Sequence, residues 1–251
     1  MKKNIKKNIG FLYYNFYKKF KNTNGNRILL YHSIGTELHN DKYGFSISKD
    51  LFNEHIFYLK DNYEFLKISD EYSKNLNKKT ISITFDDGFH DNLKVAELLE
   101  KINCPYTIYI TTGFIGKNNY LSKKELNIIS NFPNCTIGFH GQTHKPFNKL
   151  SNIELRKEII EGRIILEDII EKKIIHASYP HGIYNNNIIE LFKYYKFNTI
   201  ASSRIGINNI FNLNKFCLRR NEIIKSDTIN ELSKKILGYY DFIEFRKYSN
   251  I

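Results

Sequence analysis

Cysteine is scarce in this chain of 251 residues, and its three cysteines form no recognisable pattern. Cys104, Cys135 and Cys217 are odd in number, lie far apart and include no CxxC pair. A disulfide framework requires an even set, and a cysteine zinc site requires closely spaced pairs. The sequence therefore favours neither, and we expect reduced thiols that behave as small apolar side chains.

Long apolar runs are also missing. No segment approaches the ~20 consecutive apolar residues that a helix needs to cross a bilayer. The segment from Met1 to Asn22 has the lysines of a signal peptide, but Gly10 and Asn15 interrupt its apolar centre and no small-residue cleavage site follows. These absences predict a cytoplasmic protein, for which peripheral attachment to the inner face of the membrane stays open.

Acidic residues are fewer than basic ones: 26 Asp and Glu stand against 38 Lys and Arg, which gives a net charge of +12. Such a balance favours an anionic partner such as nucleic acid, a lipid surface or an acidic polymer. However, Lys, Asn, Ile, Tyr and Phe are abundant along the whole length, which is typical of a general compositional bias. No nucleic-acid-binding motif is recognisable, so we expect no nucleic-acid partner.

A basic amphipathic N-terminal segment, residues 1–26, precedes the rest of the chain. Its apolar residues recur at helical spacing among lysines and are Ile5, Ile9, Leu12, Phe16 and Phe20. Such a helix could lie on an anionic membrane or pack on its own domain, and the sequence leaves both open. Residues 27–251 show no internal repeat or further boundary, so we expect one domain there.

Two adjacent carboxylates, Asp86 and Asp87, lie where a strand is predicted to give way to a helix. Apolar and polar residues alternate over residues 81–85, which predicts a strand with one face on a core. After Gly88 the apolar spacing becomes helical. A hairpin turn explains Asp-Gly poorly, because a second strand would have to follow directly. A functional carboxylate pair and a strained turn both remain open.

Strands and helices alternate along the rest of the chain, which predicts an α/β fold with a parallel sheet or barrel and helices outside it. Further strands are predicted at residues 27–32, 65–68, 106–112, 136–139, 174–179, 198–202 and 216–220. Helices are predicted at residues 70–76, 93–102, 122–130, 187–195 and 227–240, after Ser48, and after a capping box of Ser151 and Glu154.

Two histidines four residues apart, His140 and His144, follow the predicted strand at residues 136–139. Two imidazoles at this spacing can reach one cation, and a carboxylate would complete a three-ligand catalytic metal site. It is not the HExxH helix of zinc proteases, because Gly141 stands where the glutamate would be. HxxxH alone is a weak signal, but together with Asp86 and Asp87 it favours a metal.

Eight segments resemble, in the same order, the motifs of polysaccharide deacetylases with the NodB homology domain (carbohydrate esterase family 4). They are Leu30–Ile34, Thr84–Gly88, Phe89–Asn92, Thr111–Ile115, His140–His144, Ala177–Gly182 and the late pair Ile200–Asn208 with Leu218–Arg220. The late pair is similar to the poly-N-acetylglucosamine deacetylase branch. The resemblance implies a distorted (β/α)7-type barrel and a divalent metal, most often Zn²⁺, with Co²⁺ or Ni²⁺ as alternatives.

The resemblance also implies roles for single residues. Asp87, His140 and His144 would bind the metal, and Asp86 would act as the general base. The backbone N–H of His181 would hold the oxyanion. The remaining residues carried over, as substrate-binding positions, are His32, Tyr179 and Pro180.

The chain departs from the family pattern at several positions. Ser178 stands where an arginine is usual, His181 stands where a tyrosine is usual, and tryptophan is missing altogether. No histidine follows His181, so the family's late proton donor has no counterpart. His181 and His32 are candidates for the general acid, although a histidine at a strand end is often a hydrogen-bonded structural group.

These observations predict a metal-dependent hydrolase that removes N-acetyl groups from amino sugars. The substrate would be a polysaccharide or its lipid- or nucleotide-linked precursor, used to build a cell-surface glycan. Two alternatives remain: hydrolysis of a non-sugar C–N amide bond, and a glycan-binding protein that has lost turnover.

Overall fold

The computed structural model describes residues 2–16, 25–69 and 79–244. These residues form seven α-helices and nine β-strands. The helices are α1 (Lys2–Phe16), α2 (Lys49–Asn62), α3 (Asn92–Lys101), α4 (Lys123–Ser130), α5 (Asn152–Ile170), α6 (Asn186–Tyr194) and α7 (Ile229–Leu237). The strands are β1 (Gly25–Tyr31), β2 (Glu64–Phe65), β3 (Thr80–Phe85), β4 (Tyr106–Ile110), β5 (Cys135–Phe139), β6 (His176–Ser178), β7 (Thr199–Ala201), β8 (Asn208–Asn209) and β9 (Arg220–Glu222).

The strands form one curled sheet in the order β7-β6-β5-β4-β3-β1-β8, with β2 beside β3 and β9 beside β1. Its strand pairs are parallel except for the short β8, which runs antiparallel to β1. Leu218, just before β9, bridges Ala201 at the end of β7, so the chain around β9 contacts both ends of the curl. The predicted α/β fold of the distorted barrel kind is confirmed.

Both faces of the central strand β3 are buried. Ile81, Ile83 and Phe85 belong to the main core, which the helices cover. Ser82 and Thr84 point to the opposite face, inside the curl, and are also buried. The alternation of apolar and polar residues predicts one face on a core. In the structure its polar residues line the barrel interior and do not face solvent.

Helix starts follow the predicted capping chemistry. The Ser48 hydroxyl caps α2, and Ser151 and Glu154 form the predicted capping box at the start of α5. Ser122 and Glu125 form the same box at α4, where a helix but no capping box was predicted. In each box two backbone N–H groups of the first turn find acceptors, which fixes where the helix begins.

Several predicted boundaries move. The strand expected at residues 65–68 is reduced to the two residues of β2, and the one expected at residues 106–112 ends at Ile110. The strand expected at residues 216–220 begins only at its last residue, as β9. The short β8 was missed. The helix predicted at residues 70–76 lies outside the described residues.

Helix α1 packs on the C-terminal part of the domain through one face. Gly10 is buried against the Tyr239 carbonyl, where a Cβ would not fit. Tyr14 stacks on Tyr239 with ring centroids 4.1 Å apart, and Lys7 pairs with Glu231 at 2.7 Å. The helix therefore packs on its own domain, one of the two arrangements left open by the sequence.

The predicted apolar stripe of α1 lies on a different face. Ile5, Leu12 and Phe16 are 50%, 54% and 76% exposed, and Ile9 is half-buried. Within residues 2–16 this stripe therefore remains largely uncovered by the domain. None of the helices in the described ranges is long and apolar enough to span a bilayer.

Candidate metal centre and catalytic site

The predicted site residues meet at the carboxyl edge of the curled sheet. His32 follows β1, Asp86 follows β3, His140 follows β5, and His181 lies in the turn after β6. Because parallel strands end at the same edge, residues far apart in the sequence come together there.

Asp87, His140 and His144 form a cluster of three metal-ligating groups. His144 Nε2 lies 3.1 Å and His140 Nε2 lies 3.5 Å from Asp87 Oδ1. Their donor atoms all lie within 4.8 Å of one another. Two imidazoles and one carboxylate are the donor set of catalytic zinc sites that keep an open position.

The backbone bends at the second carboxylate. Asp87 has φ 74° and Gly88 has φ 79°, both in the left-handed region. Adjacent side chains on a regular strand would point to opposite faces, so this bend is what lets Asp86 and Asp87 face one site. The conformation is strained for an aspartate but not for a glycine. The turn is thus strained and also brings the two carboxylates together.

The tautomer of His140 is fixed by the neighbouring strand. Its Nδ1 lies 3.1 Å from the Ser178 carbonyl oxygen and 2.6 Å from the Ser178 hydroxyl oxygen. A carbonyl oxygen only accepts, so Nδ1 carries the proton and Nε2 presents a lone pair. Burial lowers the pKa of His140 to about 4, which leaves the imidazole neutral near pH 7.

A divalent cation fits these atoms. The unprotonated Nε2 of His140 faces oxygens of Asp86 and Asp87 at 3.6 and 3.5 Å, so lone pairs converge with no proton between them. Asp87 Oδ1 is buried, and no donor within the described ranges is aligned to hydrogen-bond to it. A cation between these atoms would compensate both defects.

Asp87 and His144 shift each other's pKa in opposite directions. Burial by itself would raise the pKa of Asp87, but the neighbouring His144 and His140 lower it well below the ordinary value. For His144, burial lowers the pKa, but Asp87 outweighs burial and the net shift is upward. A metal ligand must be an unprotonated imidazole, so a cation at this site would compete with protonation of His144.

Asp86 is held by Arg220, a contact that the sequence did not reveal. The guanidinium donates to both carboxylate oxygens at 2.7 Å each, and both side chains are almost fully buried. Arg220 Nε also donates to the Ser202 carbonyl oxygen at 2.8 Å. Burial would raise the pKa of Asp86, but Arg220 and His140 bring it below the ordinary value. The carboxylate therefore stays ionised and fixed in orientation.

Arg220 also explains a departure noted in the sequence. Ser178 occupies the position where the resemblance implied an arginine, and its hydroxyl contacts His140 and lies 3.4 Å from Asp86 Oδ1. Arg220 reaches the same carboxylate from β9 instead. The guanidinium is thus present, but on a different strand.

The two candidate acids differ in their surroundings. The His32 side chain is buried, its Nδ1 lacks a partner among the described residues, and its charge would lower the pKa of both Asp86 and Asp87. His181 is exposed, has φ 57°, and its Nε2–H donates to the His144 carbonyl oxygen at 3.2 Å. Burial and the charge of His144 lower the pKa of His181.

Two residues expected to bind substrate do not reach the surface. Tyr179 is fully buried and its hydroxyl donates to the Phe216 carbonyl oxygen at 3.0 Å. Pro180 is buried and packs against Gly141. Their side chains shape the turn that carries His181, and their role as substrate-binding positions stays a prediction.

Two further carboxylates hold the loops of the site, through contacts that were not predicted from the sequence. Glu158 of α5 accepts from the backbone N–H groups of Gln142 and Thr143 at 2.8 and 2.6 Å. Asp91 accepts from the Ser33 hydroxyl at 2.7 Å and the Ile34 N–H at 2.9 Å. Each clamp sits beside a site histidine, so the loops are fixed before any ligand arrives.

A comparison with protein-family models matches residues 73–200 to the family described as polysaccharide deacetylase. The chain is 27% identical over 172 residues to YxkH of Bacillus subtilis strain 168, which has the provisional name of a polysaccharide deacetylase. That match covers 65% of this chain and 59% of YxkH, so the chain spans about three-fifths of this relative.

Two other similarities extend further along the chain. It is 24% identical to the poly-β-1,6-N-acetyl-D-glucosamine N-deacetylase of Staphylococcus aureus strain MRSA252, over 86% of this chain and 79% of that protein. The structure of IcaB from Ammonifex degensii superposes with a TM-score of 0.75 at 17% identity, covering 86% of this chain and 98% of IcaB. At this identity the superposition supports the fold.

Proposed function

Because the chain belongs to the polysaccharide deacetylase family, whose model matches just over half of it, we propose that it hydrolyses the N-acetyl amide of an amino sugar. The observation that carries this proposal is that a cation site and a general base lie side by side at the carboxyl edge of the sheet. Asp87, His140 and His144 form a cation site, and beside it lies the ionised Asp86 gripped by Arg220.

A divalent cation held by Asp87, His140 and His144, with Zn²⁺ as our first choice, would polarise the amide carbonyl and make a water more acidic. Asp86 is the proposed general base, which takes the proton from the attacking water. Arg220 keeps Asp86 ionised and turned to the site. The backbone N–H of His181 is the proposed donor to the oxyanion.

The leaving amine needs a proton, and we assign this role to His32 in preference to His181. The buried His32 lies within electrostatic range of both site carboxylates, and its Nδ1 is uncommitted among the described residues. The Nε2–H of His181 is already donated to a carbonyl, and its lowered pKa makes it a poorer carrier of a proton near neutral pH.

The proposed substrate is an N-acetylated amino-sugar glycan, as polymer or as a lipid- or nucleotide-linked precursor. The similarity to a poly-β-1,6-N-acetyl-D-glucosamine N-deacetylase over most of this chain supports a glucosamine polymer first. Hydrolysis of a non-sugar amide is the second candidate, because the same metal and base would act on any exposed C–N amide.

We further propose a cytoplasmic location with peripheral contact between α1 and anionic lipid. The outward stripe of Ile5, Leu12 and Phe16 supports this contact, because an apolar helix face beside lysines binds such surfaces. The charge supports it too: residues 1–27 contain seven lysines, Arg27 and no acidic residue.

The direct test is acetate release from β-1,6-linked N-acetylglucosamine oligosaccharides by protein loaded with Zn²⁺. We expect release that a chelator removes and that His140→Ala abolishes. His90→Ala should retain it, because His90 is an exposed histidine whose ring pairs with Glu125. Acetate from simple N-acetyl amines but from no amino sugar would favour the second candidate. Oligosaccharide binding without release would point to a binding protein.

A further inference from the structure

Three aromatic rings are stacked in a row from solvent to the site. Tyr43 stacks on Phe45 with centroids 5.3 Å apart and planes at 21°. Phe45 in turn stacks on His32 with centroids 4.4 Å apart and planes at 14°. The row therefore ends on a histidine beside the two catalytic-site carboxylates.

The outer ring of this row is open to solvent. Tyr43 is 72% exposed, whereas Phe45 is half-buried and His32 is buried. A ring stacked on one face only leaves its other face or edge uncovered. Exposed aromatic surface held in place is typical of ligand-binding positions, since the ring contributes a large contact area at little entropic cost.

The loop that carries Tyr43 and Phe45 is held rigid by its own acid. The Asp41 carboxylate accepts from the backbone N–H groups of Gly44, Phe45 and Ser46 at 2.8 to 3.0 Å. These bonds outweigh burial and lower the pKa of Asp41, so the carboxylate stays ionised and the clamp persists near neutral pH.

A second set of bonds ties this loop to the domain. The Lys225 N–H donates to the Gly44 carbonyl oxygen at 2.7 Å, and the Ile47 N–H donates to the Ser33 carbonyl oxygen at 3.1 Å. Gly44 has φ 76°, which a side chain would strain. The aromatic row is therefore set in position before a ligand binds, which reduces the entropy lost on binding.

We propose that Tyr43 and Phe45 form a glycan subsite, in which the open face of Tyr43 stacks on a sugar ring that neighbours the one losing its acetyl group. This inference rests on the proposed function. The C–H groups on one face of a pyranose are weakly positive, and an aromatic face is negative, so the two attract. Two stacking distances, of 5.3 and 4.4 Å, separate the Tyr43 ring from the His32 ring. One or two sugar residues can span this separation.

The subsite predicts a dependence on substrate length. A single N-acetylglucosamine would occupy only the reacting position, whereas an oligosaccharide would also cover Tyr43. Tyr43→Ala should therefore raise KM for β-1,6-linked N-acetylglucosamine oligosaccharides by about five- to tenfold, with kcat and the KM of the monosaccharide unchanged. Tyr43→Phe keeps the ring and should behave like the wild type.

The matched control is Tyr194→Ala, because Tyr194 on α6 is 70% exposed and lies outside the row. Thermal unfolding of all three variants checks that each is folded. Equal oligosaccharide KM values for Tyr43→Ala and Tyr194→Ala would overturn the subsite, as would an equal loss with mono- and oligosaccharide.

A binding measurement on a variant without turnover distinguishes failure of the subsite from failure of the proposed function. Calorimetric titration of the same oligosaccharides into Zn²⁺-loaded Asp86→Asn, with and without Tyr43→Ala, measures the subsite alone. If no acetate is ever released but Tyr43→Ala weakens binding, the subsite stands and the deacetylase function falls. If acetate is released and Tyr43→Ala binds as tightly, the subsite falls; absence of both acetate and binding overturns both.

Discussion

Arg220 grips both oxygens of the Asp86 carboxylate at 2.7 Å each, across 134 positions of sequence. Both side chains are almost fully buried, so the pair is shielded from solvent. A lysine would retain the charge but could not bind both oxygens, because its ammonium is a single point of contact. The orientation of Asp86 therefore depends on the guanidinium itself.

We predict that Arg220→Lys lowers kcat for acetate release by about 10²-fold, because a small misplacement of the base is costly in a preorganised site. Arg27→Lys is the control. Arg27 forms an equally close two-point pair with Asp241, at 2.7 Å for both contacts. Both variants should lose stability, but only Arg220→Lys should lose kcat. Similar kcat losses would mean that Arg220 acts through folding alone.

The metal ligands can be tested without measuring activity. Co²⁺ bound by two imidazoles and a carboxylate gives visible absorption, so titration with Co²⁺ should produce bands that His144→Ala and Asp87→Ala weaken strongly. His90→Ala should leave the bands unchanged, because its side chain contacts Glu125 instead. An unchanged spectrum for His144→Ala would remove His144 from the site.

Acid should loosen the contact between α1 and α7 through Glu231. Lys7 and the Tyr240 hydroxyl contact its carboxylate at 2.7 and 2.6 Å, and despite burial these contacts lower its pKa from 4.5 to about 2. An acid with a lowered folded pKa contributes stability above its unfolded pKa and loses it as pH falls, here between about 4.5 and 2.

Urea unfolding of the wild type and Glu231→Gln over this pH range checks the prediction. The difference in unfolding free energy between the two should shrink as pH falls from 4.5 to 2, because the wild-type advantage needs the ionised carboxylate. A difference that stays constant over this range would show that Glu231 has an ordinary pKa in the folded protein.

The proposed lipid contact of α1 should depend on the outward stripe. Co-sedimentation with phosphatidylglycerol-containing vesicles should be about tenfold weaker for Leu12→Ser, because a large apolar side chain no longer enters the bilayer interface. Phe11→Ser is the control, since Phe11 is similarly exposed, at 58%, but lies off the stripe. Equal binding of both variants, or equal wild-type binding to neutral vesicles, would contradict the proposal.

Much of this molecule can be predicted from local sequence. The change from strand to helix around Asp86, the caps at Ser48 and Ser151, and the HxxxH pair are each readable within a few residues, because they depend on neighbours in the chain. The resemblance to the family motifs then implied the barrel fold that surrounds these segments. The described structure brings Asp87, His140 and His144 together as that reading implied.

Long-range contacts were beyond the sequence. No local pattern around Arg220 shows that its guanidinium reaches Asp86 across the barrel interior. The two residues belong to different parts of the sheet, because β3 and β9 pair with opposite sides of β1. The alternation in β3 predicted one face on a core but gave no surroundings for the polar face, because alternation does not distinguish water from a polar barrel interior. The resemblance implied Tyr179 as a substrate-binding position, and only the structure shows that packing against its neighbours buries its side chain fully.

The central claim is that Asp86 is the base of a metal-dependent deacetylase. The most direct measurement is acetate release from β-1,6-linked N-acetylglucosamine oligosaccharides by Zn²⁺-loaded wild type and Asp86→Asn, each checked for equal bound zinc. We predict metal-dependent release by the wild type and a loss of at least about 10²-fold in Asp86→Asn, with zinc retained. Equal release by the two proteins, or none by fully loaded wild type, would contradict the claim.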